Sequence, residues 1–159
     1  MTYDIQAIEL EPVKTAVVRG RVPVDDISTW LPAAYNEVFR VLAQQSIAPT
    51  GPPFARYVLG SGTFDIEAGA PVASPVRVEG RVEPGDLPGG RAATTTHIGP
   101  YDALGDAVAA LTSWIRSQGA EPAGAHWEIY YSDPVLEPDP SRFHTAVVMP
   151  LQPVTEPVA

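Results

Sequence analysis

The chain contains no cysteine, which excludes disulfides and thiolate metal sites. Basic residues are scarce as well: 10 Lys and Arg stand against 19 Asp and Glu, for a formal net charge of -9. A surface of that sign repels phosphate, so no direct nucleic-acid partner is expected. It favours the approach of cations. Long apolar runs are missing. Stretches such as Ala146 to Met149 fall far short of the roughly 20 residues that span a bilayer. Asp4, Glu9 and Glu11 interrupt the N-terminal stretch where a signal peptide would carry its apolar region. A cytoplasmic protein with no membrane partner is the expectation. The histidines, His97, His126 and His144, lack the close spacing of a zinc signature. There is no nucleophile elbow, P-loop or dinucleotide fingerprint, so neither metal nor cofactor is expected.

What is present is an ordinary globular composition, 45% apolar over 159 residues. That length suits one compact domain or two intimate halves. An internal repeat decides for the second form. Gly51-Pro52-Pro53-Phe54-Ala55-Arg56-Tyr57 aligns with Gly124-Ala125-His126-Trp127-Glu128-Ile129-Tyr130 at an offset of 128 − 55 = 73. The same offset pairs Leu31, Val38 and Leu42 with Leu104, Leu111 and Ile115. Further on, Phe64 to Val72 aligns with Phe143 to Leu151 at 143 − 64 = 79. The second half therefore carries six extra residues (79 − 73 = 6) in one hairpin, within the loop 133–140. Two copies of this size indicate a pseudo-twofold domain rather than a solenoid.

Each half reads strand, strand, helix, strand, strand. The first half offers strands at Tyr3 to Glu11 and Lys14 to Val22, a helix from about Asp26 to Gln45, and a hairpin of Ala55 to Leu59 with Thr63 to Gly69. Pro32 either follows a separate first turn or opens the main helix. The second half offers the alternating Val76 to Val82, then Arg91 to Ile98. A helix opened by Gly99-Pro100 and capped by Gly119 follows. His126 to Asp133 and Arg142 to Leu151 complete it. The expected fold is α+β: duplicated ββαββ-like halves, an antiparallel sheet, two helices and a central groove. Residues 1–151 form one domain of two repeats, about 1–72 and 73–151. Residues 152–159, without periodicity, are expected to be a flexible tail.

Glu128 stands out in this frame. It interrupts the apolar, aromatic strand Trp127-Glu128-Ile129-Tyr130-Tyr131, and its repeat mate is Ala55. Alternation places Glu128 and Tyr130 on one face and Trp127, Ile129 and Tyr131 on the other. A carboxylate facing the core is costly unless paired or neutralised. It can anchor a cation or work as a general acid or base. The strand alone leaves open that Glu128 faces solvent or pairs with a neighbouring arginine. Tyr57 and Tyr130 are mates two positions after Ala55 and Glu128, and suit either a pocket wall or the core. Phe54, Trp127 and Trp114 are expected in the core. Tyr101 and Trp30 are placed to overhang a groove. His97 is expected to be structural and Glu67 an exposed strand residue.

The run Phe64-Asp65-Ile66-Glu67-Ala68-Gly69, then His97-Ile98-Gly99-Pro100-Tyr101, then Trp127-Glu128-Ile129-Tyr130 resemble the GyrI-like family. That family includes the effector-binding domains of MerR- and AraC-type transcription regulators. The resemblance covers roughly Tyr3 to Leu151. It implies two ββαββ-like units with a ligand groove between them. Multidrug-binding relatives hold lipophilic cations on a glutamate and aromatics that map to Glu128 and Tyr130. Some stand-alone relatives are hydrolases of cyclopropane-bearing electrophiles that use the same residues. Another relative inhibits DNA gyrase. The chain has no helix-turn-helix before Tyr3 and no basic region, so it reads as a stand-alone member. The leading expectation is a small-molecule binder that holds a partly aromatic cation through Glu128, Tyr130, Tyr57, Tyr101 and Trp30. Hydrolysis by Glu128 and Tyr130 is the alternative, and a gyrase-modulating interaction protein is the third. No protein partner is identifiable.

Overall fold

The computed structural model describes residues 3–59, 63–133 and 136–152. Among the described residues, eight strands form one antiparallel sheet: β1 (Gln6–Leu10), β2 (Val13–Pro23), β3 (Phe54–Leu59), β4 (Thr63–Pro71), β5 (Glu83–Leu87), β6 (Gly90–Ile98), β7 (His126–Tyr130) and β8 (His144–Pro150). Helix α1 spans Ile27–Gln44 and α2 spans Leu104–Ser117. This is the expected α+β fold.

The strand order is β1-β6-β8-β7-β3-β4-β2-β5. It reads symmetrically outward from the β7–β3 pair. The register obeys the offsets seen in the sequence. Tyr57 pairs with Ile66 and Tyr130 with Thr145; Ala55 pairs with Ala68 and Glu128 with Val147. The hairpin pairings are thus the same in both halves, with the six extra residues absorbed between β7 and β8. At the centre, Ala55 pairs with Glu128, Phe54 with Ile129 and Arg56 with Trp127. Under the 73-residue offset the last two pairs exchange and the first maps onto itself. The pseudo-twofold axis therefore passes through the Ala55–Glu128 pair.

The outer strands are exchanged between the halves. β1 pairs with β6, and β5 pairs with β2. Neither half closes its own sheet, which suits units too small to bury a core alone.

Val76–Val82 is not a strand, contrary to its alternation. Glu79 and Val82 exchange backbone hydrogen bonds of 3.1 and 3.0 Å, and Gly80 takes φ +58 in the two-residue turn between them. The exchanged strand is instead β5, Glu-Pro-Gly-Asp-Leu. Its proline is tolerated because β5 is an edge strand and pairs on one side only. Pro32 lies inside a continuous α1. Of the tail, Gln152 donates its N–H to the Glu121 carbonyl at 3.0 Å, and 153–159 lie outside the described residues.

α1 packs on β2 and β4, and α2 on β6 and β8. Each helix seals an apolar cluster against its strands, one around Val38, Leu42 and Ile66, the other around Leu111, Ile115 and Val147. On the other face the sheet curls over a third cluster of Val17, Phe54, Leu87, Trp127 and Val148. Phe54 and Trp127 thus belong to the core, as expected, and Trp114 packs against the α2 cluster. The helices cover the outer pairs and leave β3 and β7 between them as the floor of a groove.

Candidate functional site

The groove encloses about 1860 Å³ and is open to solvent. Leu31, Tyr35 and Phe39 of α1 form one wall. Leu104 and Val108 of α2, with Tyr101 ahead of them, form the other, and Tyr57, His126, Glu128 and Tyr130 project from the floor. The strand pleat makes this floor. His126, Glu128 and Tyr130 are alternate residues of β7, and Tyr57 lies opposite His126 on β3. Ala55 lies opposite Glu128, and its small side chain leaves room for the carboxylate.

Glu128 is only 7% exposed, so it does not face solvent. No arginine pairs with it among the described residues. Arg19 bonds Glu67 and Glu83, Arg21 bonds Asp65, and Arg81 bonds Glu37. Instead, Tyr130 donates its hydroxyl to Glu128 Oε1 at 2.8 Å, and His126 Nε2 lies 3.4 Å from Oε2. Tyr57 and Tyr130 hydroxyls are 2.7 Å apart. Tyr130 has one proton and spends it on Glu128, so Tyr57 is the donor in that contact. The result is a directed chain from Tyr57 through Tyr130 to Glu128. Burial, and then the charge of Glu128, push the Tyr57 hydroxyl well above the ordinary tyrosine range. Tyr35 and Tyr130 are raised foremost by burial, with lesser contributions from the other tyrosines and Glu128. All three stay protonated and remain donors at neutral pH.

Aromatic contacts hold the walls. Tyr57 stacks on His126 with centroids 5.5 Å apart. Tyr101 stacks on Phe143 at 4.9 Å and meets the edge of Tyr130 at 5.5 Å. Tyr35 donates to the Phe54 carbonyl at 2.8 Å, which ties α1 to the floor.

Glu128, Tyr130, Tyr57 and Tyr101 therefore meet in one groove. Trp30 does not join them. It packs on the α1 cluster with its ring over β2, so close that a Cβ on Gly20 would lie 2.7 Å from Trp30 Cζ2. Glu67 is no exposed residue but half-buried beside Arg19. His97 is buried and structural: its Nε2–H meets the Pro100 carbonyl at 3.1 Å, so Nδ1 accepts from Tyr3 at 2.9 Å. Tyr35 and His126 join the groove lining as well. His126 was detectable, since it sits two residues before Glu128 and shares its strand face. Tyr35 reads as one more apolar position on α1. No group of three or more His, Asp or Glu side chains able to hold a metal occurs among the described residues, and no helix among them is long and apolar enough to cross a membrane.

A family model described as the GyrI-like small molecule binding domain matches residues 3–152. The chain belongs to that family. Solved structures share the GyrI-like fold. The EcmrR C-terminal domain superposes with a TM-score of 0.84 at 21% identity, over 97% of this chain and 100% of that one. EcmrR in its cryo-EM complex with DNA gives 0.82 at 22% identity, over 96% of this chain. The chain spans 58% of that regulator's length. A hydrolase encoded by lin2189 from Listeria innocua gives 0.67 at 14% identity, over 94% of this chain and 92% of that one. SAV2435 bound to tetraphenylphosphonium gives 0.66 at 11% identity, over 96% and 94%. A search of curated protein sequences gives no match. At these identities the structures establish a shared fold. The GyrI-like family makes a small molecule the partner of this domain.

Proposed function

We propose that this domain is an effector- or drug-binding module that holds a lipophilic, partly aromatic cation in the groove against Glu128. One observation carries the reading: a buried carboxylate sits on the pseudo-twofold axis in an aromatic groove whose lining includes no Lys or Arg among the described residues. A flat cation finds aromatic faces there and one counter-charge. Tyr57, Tyr130 and Tyr101 complete its walls. The fold shared with SAV2435, solved with tetraphenylphosphonium, supports this choice of ligand. The two repeats act as one domain over 1–151, each giving one wall and one floor strand. With a net charge of -9 and no cysteine, the reading takes the domain as cytoplasmic, with no direct contact to nucleic acid or membrane.

The test is titration of tetraphenylphosphonium into wild type and Glu128→Gln. The variant should bind more weakly by about 1–3 kcal/mol, the scale of a lost charge-assisted interaction. Its fold stability should hold or rise, because a buried charge is removed. Equal affinity in the two proteins would sink the reading.

The Tyr57–Tyr130–Glu128 chain favours a second reading, hydrolysis. Glu128 would take a proton from water as its oxygen bonds to a ring carbon of a strained, cyclopropane-type electrophile; the ring C–C bond would break, and the released carbon would take the Tyr130 proton, which Glu128 then restores. The fold shared with a Listeria innocua hydrolase supports it. Here Glu128→Gln should keep the ligand and lose turnover.

A further inference from the structure

Glu128 has a neighbour that cation binding does not require. His126 sets Nε2 at 3.4 Å from Oε2, while Tyr130 donates to Oε1. Both carboxylate oxygens are therefore occupied from β7 itself. The His126 side chain is 18% exposed, so protons reach it from the groove while the pair stays largely out of bulk water. Tyr57 stacks on the imidazole at an interplanar angle of 23° and fixes its plane. An imidazolium in that position gains the carboxylate charge on its edge and an aromatic face beside it. With no Lys or Arg in the lining, it is the one cationic side chain the described groove can generate for itself.

We propose that His126 is the charge-selecting residue of the groove: protonated, it occupies Glu128 as a built-in cation, and a cationic ligand binds by displacing that charge, with release of a proton. This rests on the reading of Glu128 as the cation anchor. Glu128 and Tyr57 touch His126, Tyr130 shares its face of β7, and Tyr35, Tyr101, Tyr131, Asp102 and Asp133 line the same groove. Histidine is the side-chain type whose charge ordinarily changes between about pH 5 and 8, so a series from about pH 5.5 to 7.5 addresses it rather than the carboxylates and tyrosines.

The sign follows from competition. Lower pH charges His126 and weakens capture of a second cation. The probe is tetraphenylphosphonium chloride, a permanent cation with nothing to titrate, measured calorimetrically on the whole chain. Its Kd should rise about tenfold as the pH falls from about 7.5 to 5.5. At about pH 6.5, two buffers of different ionisation enthalpy should show net proton release on binding to wild type, a readout that needs no variant. His126→Gln should flatten the profile and bind at pH 5.5 as wild type does at 7.5. His126→Phe keeps a ring against Tyr57 and serves if the glutamine variant folds poorly. Two results would overturn the proposal and leave the Glu128 reading standing: binding to wild type that depends on Glu128 without proton release, or equal slopes in wild type and variants. Binding that ignores Glu128 altogether removes both.

Discussion

At the scale of single residues, the symmetry has to break where the axis runs. Directly opposed positions of an antiparallel pair hold their Cβ atoms about 5 Å apart, and like charges there repel. A glutamate at both 55 and 128 would bury two carboxylates face to face. Ala55 opposite Glu128 is the solution that keeps one. The tyrosines break symmetry next. Tyr57 and Tyr130 are mates, yet Tyr130 donates directly to Glu128 at 2.8 Å, while Tyr57 donates to Tyr130. Tyr130→Phe removes one donor from Glu128 and the acceptor from Tyr57, and should lower stability by about 1–3 kcal/mol. Tyr57→Phe breaks one link and should lower it by about 0.5–1.5 kcal/mol. Urea unfolding at neutral pH measures both. The reverse order would mean that Tyr130 is not the middle link of the chain. The same chain predicts alkaline sensitivity. The folded state holds the Tyr57 proton above the ordinary value of 10.0, and the unfolded chain releases it. That contribution is complete below about pH 10 and is lost as pH rises through the folded value. The urea midpoint should fall between about pH 9.5 and 11.5, less steeply in Tyr57→Phe.

At the scale of elements, the two helices end alike and begin differently. In α1, Ser46 N–H meets the Ala43 carbonyl at 3.2 Å and Ile47 N–H meets Leu42 at 2.9 Å. In α2, Gly119 meets Arg116 at 3.0 Å and Ala120 meets Ile115 at 3.2 Å. Both are Schellman closures, set 73 residues apart (119 − 46 = 73). The left-handed position holds Gly119 at φ +79 in α2 but Ser46 at φ 56 in α1. A side chain there is strained. Ser46→Gly should therefore stabilise the fold by about 0.5–1 kcal/mol, after the greater freedom of glycine in the unfolded chain is counted. A thermal melt that shows no gain would place the strain elsewhere. At the other end, α1 has 18 residues and α2 has 14, so α1 carries four more (18 − 14 = 4), about one turn. Ile27 and Ser28 from this turn line the groove, whereas a 3-10 turn, Tyr101–Ala103, takes that place ahead of α2. Gly69, the last residue of Phe-Asp-Ile-Glu-Ala-Gly, has a packing reason: a Cβ there would lie 1.8 Å from the Ala16 carbonyl oxygen on β2.

At the scale of the whole molecule, the groove is a product of the duplication. Two helices each cover an outer strand pair, and the central pair stays open. The exchange of β1 and β5 ties the halves together, so the groove floor is shared between them. The charge balance acts at this scale as well. With -9 overall, the purified chain should show no salt-dependent affinity for duplex DNA. A gel shift at moderate salt that fades as salt rises would contradict this.

Much of this was written in one dimension. The offsets of 73 and 79 residues are properties of the sequence, and the sheet register repeats them because both halves must bury the same faces. Glu128 was visible as a charge in an apolar strand, since burying a carboxylate without purpose is costly. The strand alternation that placed Tyr130 beside it and Phe54 and Trp127 behind is equally local. What the sequence could not decide is long-range. Glu-Pro-Gly-Asp-Leu has the composition of a turn, and it is a strand only because β2 offers an edge to pair with. Val76–Val82 has the alternation of a strand, and a turn at Gly80 prevents it. Trp30 carries the signature of a pocket aromatic, and the bare backbone of Gly20 draws it to β2 instead. The pairing of Ala55 with Glu128 put the carboxylate on the axis, because sheet pairing between halves depends on how they meet in space and not on either strand alone.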